Sequence, residues 1–275
     1  MIQDSKALQW FIKHENQKSW IVILLTKPKL YLYNLLKRTV IIGLFLFGLF
    51  ELLKYFNIGQ SQIIPTSLHS LIGLVIGLLL VFRTNTAYDR WWEARKIFAS
   101  IHSTFLYIRI KFSGSYNKED VKELLIQLNA DIFKYVAADE GEESVNTKER
   151  FVVNYKRLSN IIAKEQLPTP IFGSLEKKLI DILEYFTSLE RIKDTPIPMS
   201  YSFHIKLSIF LFLLSLPFGM FFDLGIMAIP CVMVLFFIIA GIEIISNEIE
   251  NPFKGDPNDL PIEDYKKENE KYING

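Results

Sequence analysis

The side chains able to do chemistry are few and widely spaced. The four histidines, His14, His69, His102 and His204, are far apart, and no two stand at the i, i+3 or i, i+4 spacing that would place a pair of imidazoles on one helix face as metal ligands. Cys231 is the only cysteine, so neither an internal disulfide nor a thiolate zinc cluster can form, and its apolar neighbours read as the setting of an inert buried thiol. The chain has no glycine-rich phosphate cradle and no nucleophile-elbow pattern. No enzymatic activity and no cofactor are expected.

Three constellations remain. Asn251, Asp256 and Asp259 can offer oxygens to a hard cation, together with Asn258 and backbone carbonyls, although Lys254 and Pro257 interrupt the run. Arg83 to Lys96 is denser: Asp89, Arg90, Glu93, Arg95 and Lys96 share two helical turns with Trp91 and Trp92. This spacing lets Arg90 face Glu93 or Lys96 in an interlocking network of charges and rings. The third constellation is apolar. Leu74, Leu78 and Phe82 recur every four residues, and Gly73 and Gly77 form a G-x-x-x-G pair one position away. Small residues let neighbouring helices approach, so copies packed about an axis could turn the stripe inward as a dry constriction that ions cross only when it widens. A plain lipid-facing helix would show the same periodicity.

The elements that must carry these groups follow from composition. Half of the 275 residues are hydrophobic and 14% aromatic, against 22% charged and a mean hydropathy of +0.20, which points to apolar blocks alternating with soluble ones. A net charge of +1, with no concentrated basic face, excludes nucleic acid as a partner. Four windows approach the ~20 apolar residues that a spanning helix needs: 40–56, 65–82, 203–222 and 224–245. Pro217 and Pro230 are expected to kink the last two, and a tight turn around Asp223 to join them. Lys27, Lys29, Lys37 and Arg38 precede the first window, while Arg83, Arg90, Arg95 and Lys96 follow the second. The 57–64 loop between those windows is uncharged, so both termini are expected in the cytoplasm. The N-terminus lacks the apolar core of a cleaved signal.

The organisation is thus an N-terminal segment 1–39, spans within 40–83, a cytoplasmic helical region 84–202, spans within 203–246 and a C-terminal segment 247–275. Ile97, Phe98, Ile101, Phe105, Ile108 and Phe112 make an amphipathic stripe, and similar patterns cover 120–136 and 170–192. The acidic stretch 141–147 reads as a loop.

The run from Phe82 through Arg83, Asn85, Tyr88, Asp89, Arg90, Trp91, Trp92, Glu93 and Arg95 resembles the F-R-x-N-x-x-Y-x-R-W-W-E-A-R pattern of the bestrophins. TPIPMSY at 195–201 and NEIENPFKGDPNDLP at 247–261 fit the same family in the same order, extending the likeness over nearly the whole chain. The resemblance implies an all-α membrane protein: four transmembrane helices and a cytoplasmic helical bundle, assembled as a homopentamer around a central pore lined by the second helix. It also implies an ion channel in a cell inner membrane or plasma membrane, with the bilayer, its own copies and small monovalent ions as partners. The apolar neck falls on Leu74, Leu78 and Phe82, two of them leucines where better-studied members carry other apolar residues. A second aperture falls at Pro170 or Ile171.

The wider family conducts anions such as chloride, and the bacterial branch includes a cation-preferring member. The calcium site of the animal members would map to Asn251, Asp256 and Asp259, in a run that is less acidic here. The rival readings are a non-conducting membrane scaffold or regulatory subunit, and a secondary transporter, for which the uninterrupted second span is a poor match.

Overall fold

A computed structural model of the chain describes residues 29–56, 66–114, 117–139, 141–256 and 258–274, all helix, turn or irregular segment without a strand among them. The helices are α1 (Lys29–Tyr55), α2 (Thr66–Lys111), α3 (Lys118–Ala137), α4 (Glu142–Lys164), α5 (Thr169–Asp194), α6 (Met199–Leu224), α7 (Ala228–Glu250) and α8 (Ile262–Asn274). The 57–64 loop and Lys27 lie outside the described residues, as does His14.

The chain divides into two compact units. The first takes in α1, α2 as far as Thr84, α6, and α7 as far as Ser246. Its core joins Leu46 of α1, Ile76 and Leu80 of α2, Ile205, Ile209 and Phe212 of α6, and Ile229 and Val232 of α7. Leu44, Phe210 and Val234, by contrast, are 68%, 60% and 59% exposed. An apolar exterior of this kind is stable against lipid and unstable against water. Among the described residues, three stretches are long and apolar enough to cross a membrane, Ser67–Lys111, Met199–Phe221 and Gly225–Glu250. In α1, Lys37 and Arg38 on one side and Glu51 and Lys54 on the other confine the uncharged run to Thr39–Phe50.

Several boundaries differ from the sequence expectation. The turn between α6 and α7 falls at Gly225, whose φ of +53° suits glycine, followed by a 3₁₀ turn Gly225–Met227 rather than a bend at Asp223. Pro217 lies inside α6, but Pro230 sits in the first turn of α7, where a proline breaks no intrahelical hydrogen bond, so it does not kink the helix interior. Cys231 is exposed, because the first turn of α7 turns it outward from the core that holds Ile229 and Val232.

The second unit comprises α2 from Asn85, α3, α4, α5 and the chain from Asn247. All six residues of the predicted 97–112 stripe are buried, and α3 and α5 add Leu125, Leu128, Ile132, Leu175, Ile182 and Leu189 to the same core. The stretch 141–147 is not a loop. Gly141, at φ +152°, precedes a helix that starts at Glu142, where Glu142 and Glu143 complement the partial positive charge of its N-terminus. Phe151 of α4 then stacks on Phe186 of α5, with ring centroids 3.9 Å apart. The helix α5 begins at Thr169 with Pro170 in its first turn, as the Thr-Pro pair predicts.

Candidate functional site

Within the first unit α2 has two faces. His69, Ile76, Leu80 and Arg83 recur at threes, fours and sevens, and all are buried. On another face Leu74, Leu78 and Phe82 are 71%, 54% and 55% exposed, with Leu71 beside them at 60%. The stripe singled out by its spacing is therefore an uncharged apolar surface that stays largely exposed among the described residues. The two glycines differ in what they meet. A Cβ on Gly73 would lie 3.2 Å from Cζ of Phe212 on α6, whereas around Gly77 there is open space. Gly73 thus serves packing inside the chain. His69 is tucked against Phe212, ring centroids 6.5 Å apart, and its Nε2 makes no hydrogen bond among the described residues.

Next to Phe82, the signature residue Arg83 has a partner far along the chain. Arg83 is fully buried, and its Nη1 donates to Oε1 of Glu243 on α7 at 3.0 Å. Lys206 of α6 brings its Nζ within 3.5 Å of the same oxygen. One carboxylate thereby joins three helices. The available signal was Glu243 itself, an acidic residue alone in an apolar run, since an ionisable group in such a segment requires a partner.

In the second unit the three motif stretches meet at Arg90. Its Nε donates to the Glu250 carbonyl at 3.0 Å, its Nη1 to that of Thr195 at 2.7 Å and its Nη2 to that of Ile192 at 2.6 Å. These carbonyls close the C-terminal ends of α5 and α7, where intrahelical donors have run out. Arg90 therefore spends its hydrogen bonds away from Glu93 and Lys96, and the Glu93 carboxylate reaches it only as a charge at a distance; Glu93 accepts instead from Arg191 of α5 at 2.7 Å. The reason is energetic: an exposed pair one turn apart is worth about 0.2–0.5 kcal/mol, and a charged hydrogen bond to an otherwise orphaned group about 1.5–3 kcal/mol.

Trp91 Nε1 donates to the Asn258 carbonyl at 3.0 Å, and the rings of Tyr88, Trp91 and Trp92 stack 6.2–6.3 Å apart. Arg95 lies over both indoles, at 5.5 and 5.3 Å. Asn85 and Asp89 are on the exposed side of α2.

Asp256 and Asp259 share a turn. The Asp259 Oδ2 accepts the backbone N–H of Gly255 at 2.6 Å and of Asp256 at 2.9 Å, and Gly255 has φ +88°. Asp259 thus serves the turn, and among the described residues no group of three or more His, Cys, Asp or Glu is placed to hold a metal ion. Burial pushes the Asp259 carboxyl up to about 6 from 3.8, against the pull of its two amide donors and with help from Asp256 and Glu248. A carboxyl raised on folding stabilises the fold while protonated, so its contribution is complete below 3.8 and is lost as pH rises through about 6. Asp259→Asn keeps an oxygen for both amides and removes the charge. It is expected to raise stability on the order of 1 kcal/mol at about pH 8, discounted for a half-buried group, and the gain should vanish toward about pH 4. Thermal unfolding of both proteins across that range checks it; a gain independent of pH would refute the assignment.

Of the two aperture candidates, Pro170 is exposed and Ile171 packs against the core of the second unit.

The family described as Bacterial/Fungal Bestrophin protein matches residues 12–138 and 127–274. A voltage-dependent anion channel-forming protein of Nostoc sp. is 32% identical, with 79% of each chain covered. The voltage-dependent anion channel-forming protein YneE of Escherichia coli K12 is 27% identical over 70% of this chain and 71% of its own. Among solved structures, a mutant of a bacterial bestrophin homolog from Klebsiella pneumoniae superposes with a TM-score of 0.73 at 17% identity, covering 90% of this chain and 98% of that one. The chain belongs to the bacterial/fungal bestrophin family.

Proposed function

We propose that the protein is a membrane ion channel, assembled from five copies of the chain, that passes small monovalent ions down their gradient through a neck formed by rings of Leu74, Leu78 and Phe82. The observation that carries this reading is the division of α2: a face held by the chain's own core and a separate, uncharged apolar face left open. Around an axis, such faces enclose a constriction that holds water poorly and opens by widening. In this reading α1, α6 and α7 form the shell, α1 is the fourth span, and both termini lie on the cytoplasmic side of a cell inner membrane or plasma membrane. The relatives named as anion channel-forming proteins favour anions such as chloride. Sodium selectivity is the alternative, because an apolar ring carries no charge with which to choose and the electrostatics beyond it must decide. Pro170 and Ile171 are the proposed second aperture, and Gly77 is a proposed contact between copies.

Purified protein in planar bilayers tests the proposal. Wild type should conduct, and joint replacement of Leu74, Leu78 and Phe82 by alanine should raise unitary flux on the order of tenfold, the effect of lowering a barrier by about 1.4 kcal/mol. Silence from both proteins would favour a scaffold instead. Reversal potentials in asymmetric sodium or potassium chloride give the sign of the permeant ion. Native mass gives the copy number, and a stable monomer would remove the axial pore.

A further inference from the structure

The charged triad of the first unit lies one residue beyond the last ring of the proposed neck. Successive residues on a helix point about 100° apart, so fixing the direction of one side chain fixes that of its neighbour. Arg83 is fully buried with its Nη1 3.0 Å from Glu243, while Phe82 beside it is 55% exposed. The stripe through Leu74 and Leu78 continues on the Phe82 side of the helix, and Arg83 lies on the buried side.

Apolar packing alone specifies this setting weakly. Ile76 and Leu80 are buried, but Leu78, Leu79 and Val81 next to them are of similar size and equally apolar, so a rotated helix could bury a comparable surface. Arg83 cannot be exchanged in that way. It is a cation, and a rotation that took it from Glu243 would leave a buried charge without its carboxylate. Glu243 is itself held between α2 and α6 by Lys206, 3.5 Å from the same oxygen. A directional ion pair thus sets what apolar contacts leave degenerate, much as a single polar residue fixes register in a helix bundle.

We infer that Glu243 is a positioning residue: by binding Arg83 it fixes the rotational setting of α2 and so decides which side chains of that helix face outward. What this does for conduction rests on the channel reading; the setting itself does not.

The test separates the two. In a background where Cys231 is changed to Ser, Leu80→Cys places a thiol at a position that is 3% exposed. With Glu243 intact, N-ethylmaleimide should label it slowly in detergent. Adding Glu243→Gln should speed labelling several-fold, and Glu243→Asp, which keeps the carboxylate, should restore most of the protection. The double change Arg83→Met with Glu243→Gln removes both charges and so supports folding should the single variant fail. If the pair only stabilises, the double variant recovers wild-type protection together with stability; if the pair positions, it recovers stability while Leu80→Cys remains reactive.

Unchanged labelling in Glu243→Gln at unchanged native mass, or full protection in the double variant, would overturn the inference. Faster labelling accompanied by altered unitary flux supports it together with the channel reading. Faster labelling in a protein whose wild type carries no current supports the positioning role and removes the channel reading alone.

Discussion

Phe98→Ala is expected to lower stability by about 3–5 kcal/mol, the usual cost of emptying a buried phenylalanine site. Phe98 has no exposed surface, and its ring centroid lies 4.9 Å from that of Phe133 on α3, 5.1 Å from Tyr265 on α8 and 6.0 Å from Phe253 in the segment before α8. Four parts of the second unit therefore meet on one side chain. Few neighbours can relax into the space, because those rings are held by further contacts of their own. Phe253 is 5% exposed, and α8 is tied down by Asn269, which donates to Asn129 Oδ1 at 2.8 Å and lies 2.9 Å from His102 Nδ1. In a chain of this size a loss near 3 kcal/mol lowers the melting temperature by about 10 °C. Thermal unfolding in detergent reads it directly, with Phe98→Leu as the milder control. A loss below about 1 kcal/mol for Phe98→Ala would show that the rings close over the gap.

Arg90 gives the second large effect, and here the informative substitution is the conservative one. Three of its nitrogens reach three carbonyls on two helix ends. A lysine ammonium offers one point of charge where the guanidinium offers a planar fork, so Arg90→Lys can satisfy one or two of these oxygens but not all three in place. The expected cost is on the order of 2 kcal/mol for lysine and 3 kcal/mol or more for alanine, since each orphaned polar group costs about 1–3 kcal/mol and part of this cluster can recruit water. Amide exchange offers a local readout: protection in the last turns of α5 and α7 should fall while that of α3 stays unchanged. Equal stability of Arg90→Lys and wild type would refute the three-point role.

The sequence discloses these features unevenly. Apolar runs marked α2, α6 and α7 because a membrane span needs only length and an absence of charge, and threefold and fourfold spacing exposed the buried face from Ile97 to Phe112. The Thr169-Pro170 pair marked a helix start by purely local chemistry. Where the outcome depended on distant parts of the chain, reading along it failed. Helical spacing brings Arg90 to Glu93 or Lys96, both near in sequence, yet its acceptors lie 102, 105 and 160 residues away. They are also backbone oxygens, which leave no trace in residue identity. Glu243 was missed for a related reason: its partners are Arg83 and Lys206, and periodicity tells which face a residue takes but not who stands opposite. The stretch 141–147 was misread because acidic residues after a glycine suit a loop and a helix start equally well. What favours the helix is the burial of Phe151 and Leu158, one turn and three turns beyond Thr147.

The same guanidinium imposes an asymmetry on mutational tolerance. Because the three hydrogen bonds of Arg90 all end on carbonyl oxygens, the side chains at Ile192 and Thr195 can change without removing an acceptor, provided that the backbone keeps its path, whereas the Glu250 carboxylate also draws the guanidinium electrostatically. The arginine has no such freedom. A scan of all substitutions at Arg90, Ile192 and Thr195 should return one intolerant site facing two permissive ones, apart from the independent burial of Ile192. Drift can then rewrite the helix ends while the joint between them persists, held by a single letter of the sequence.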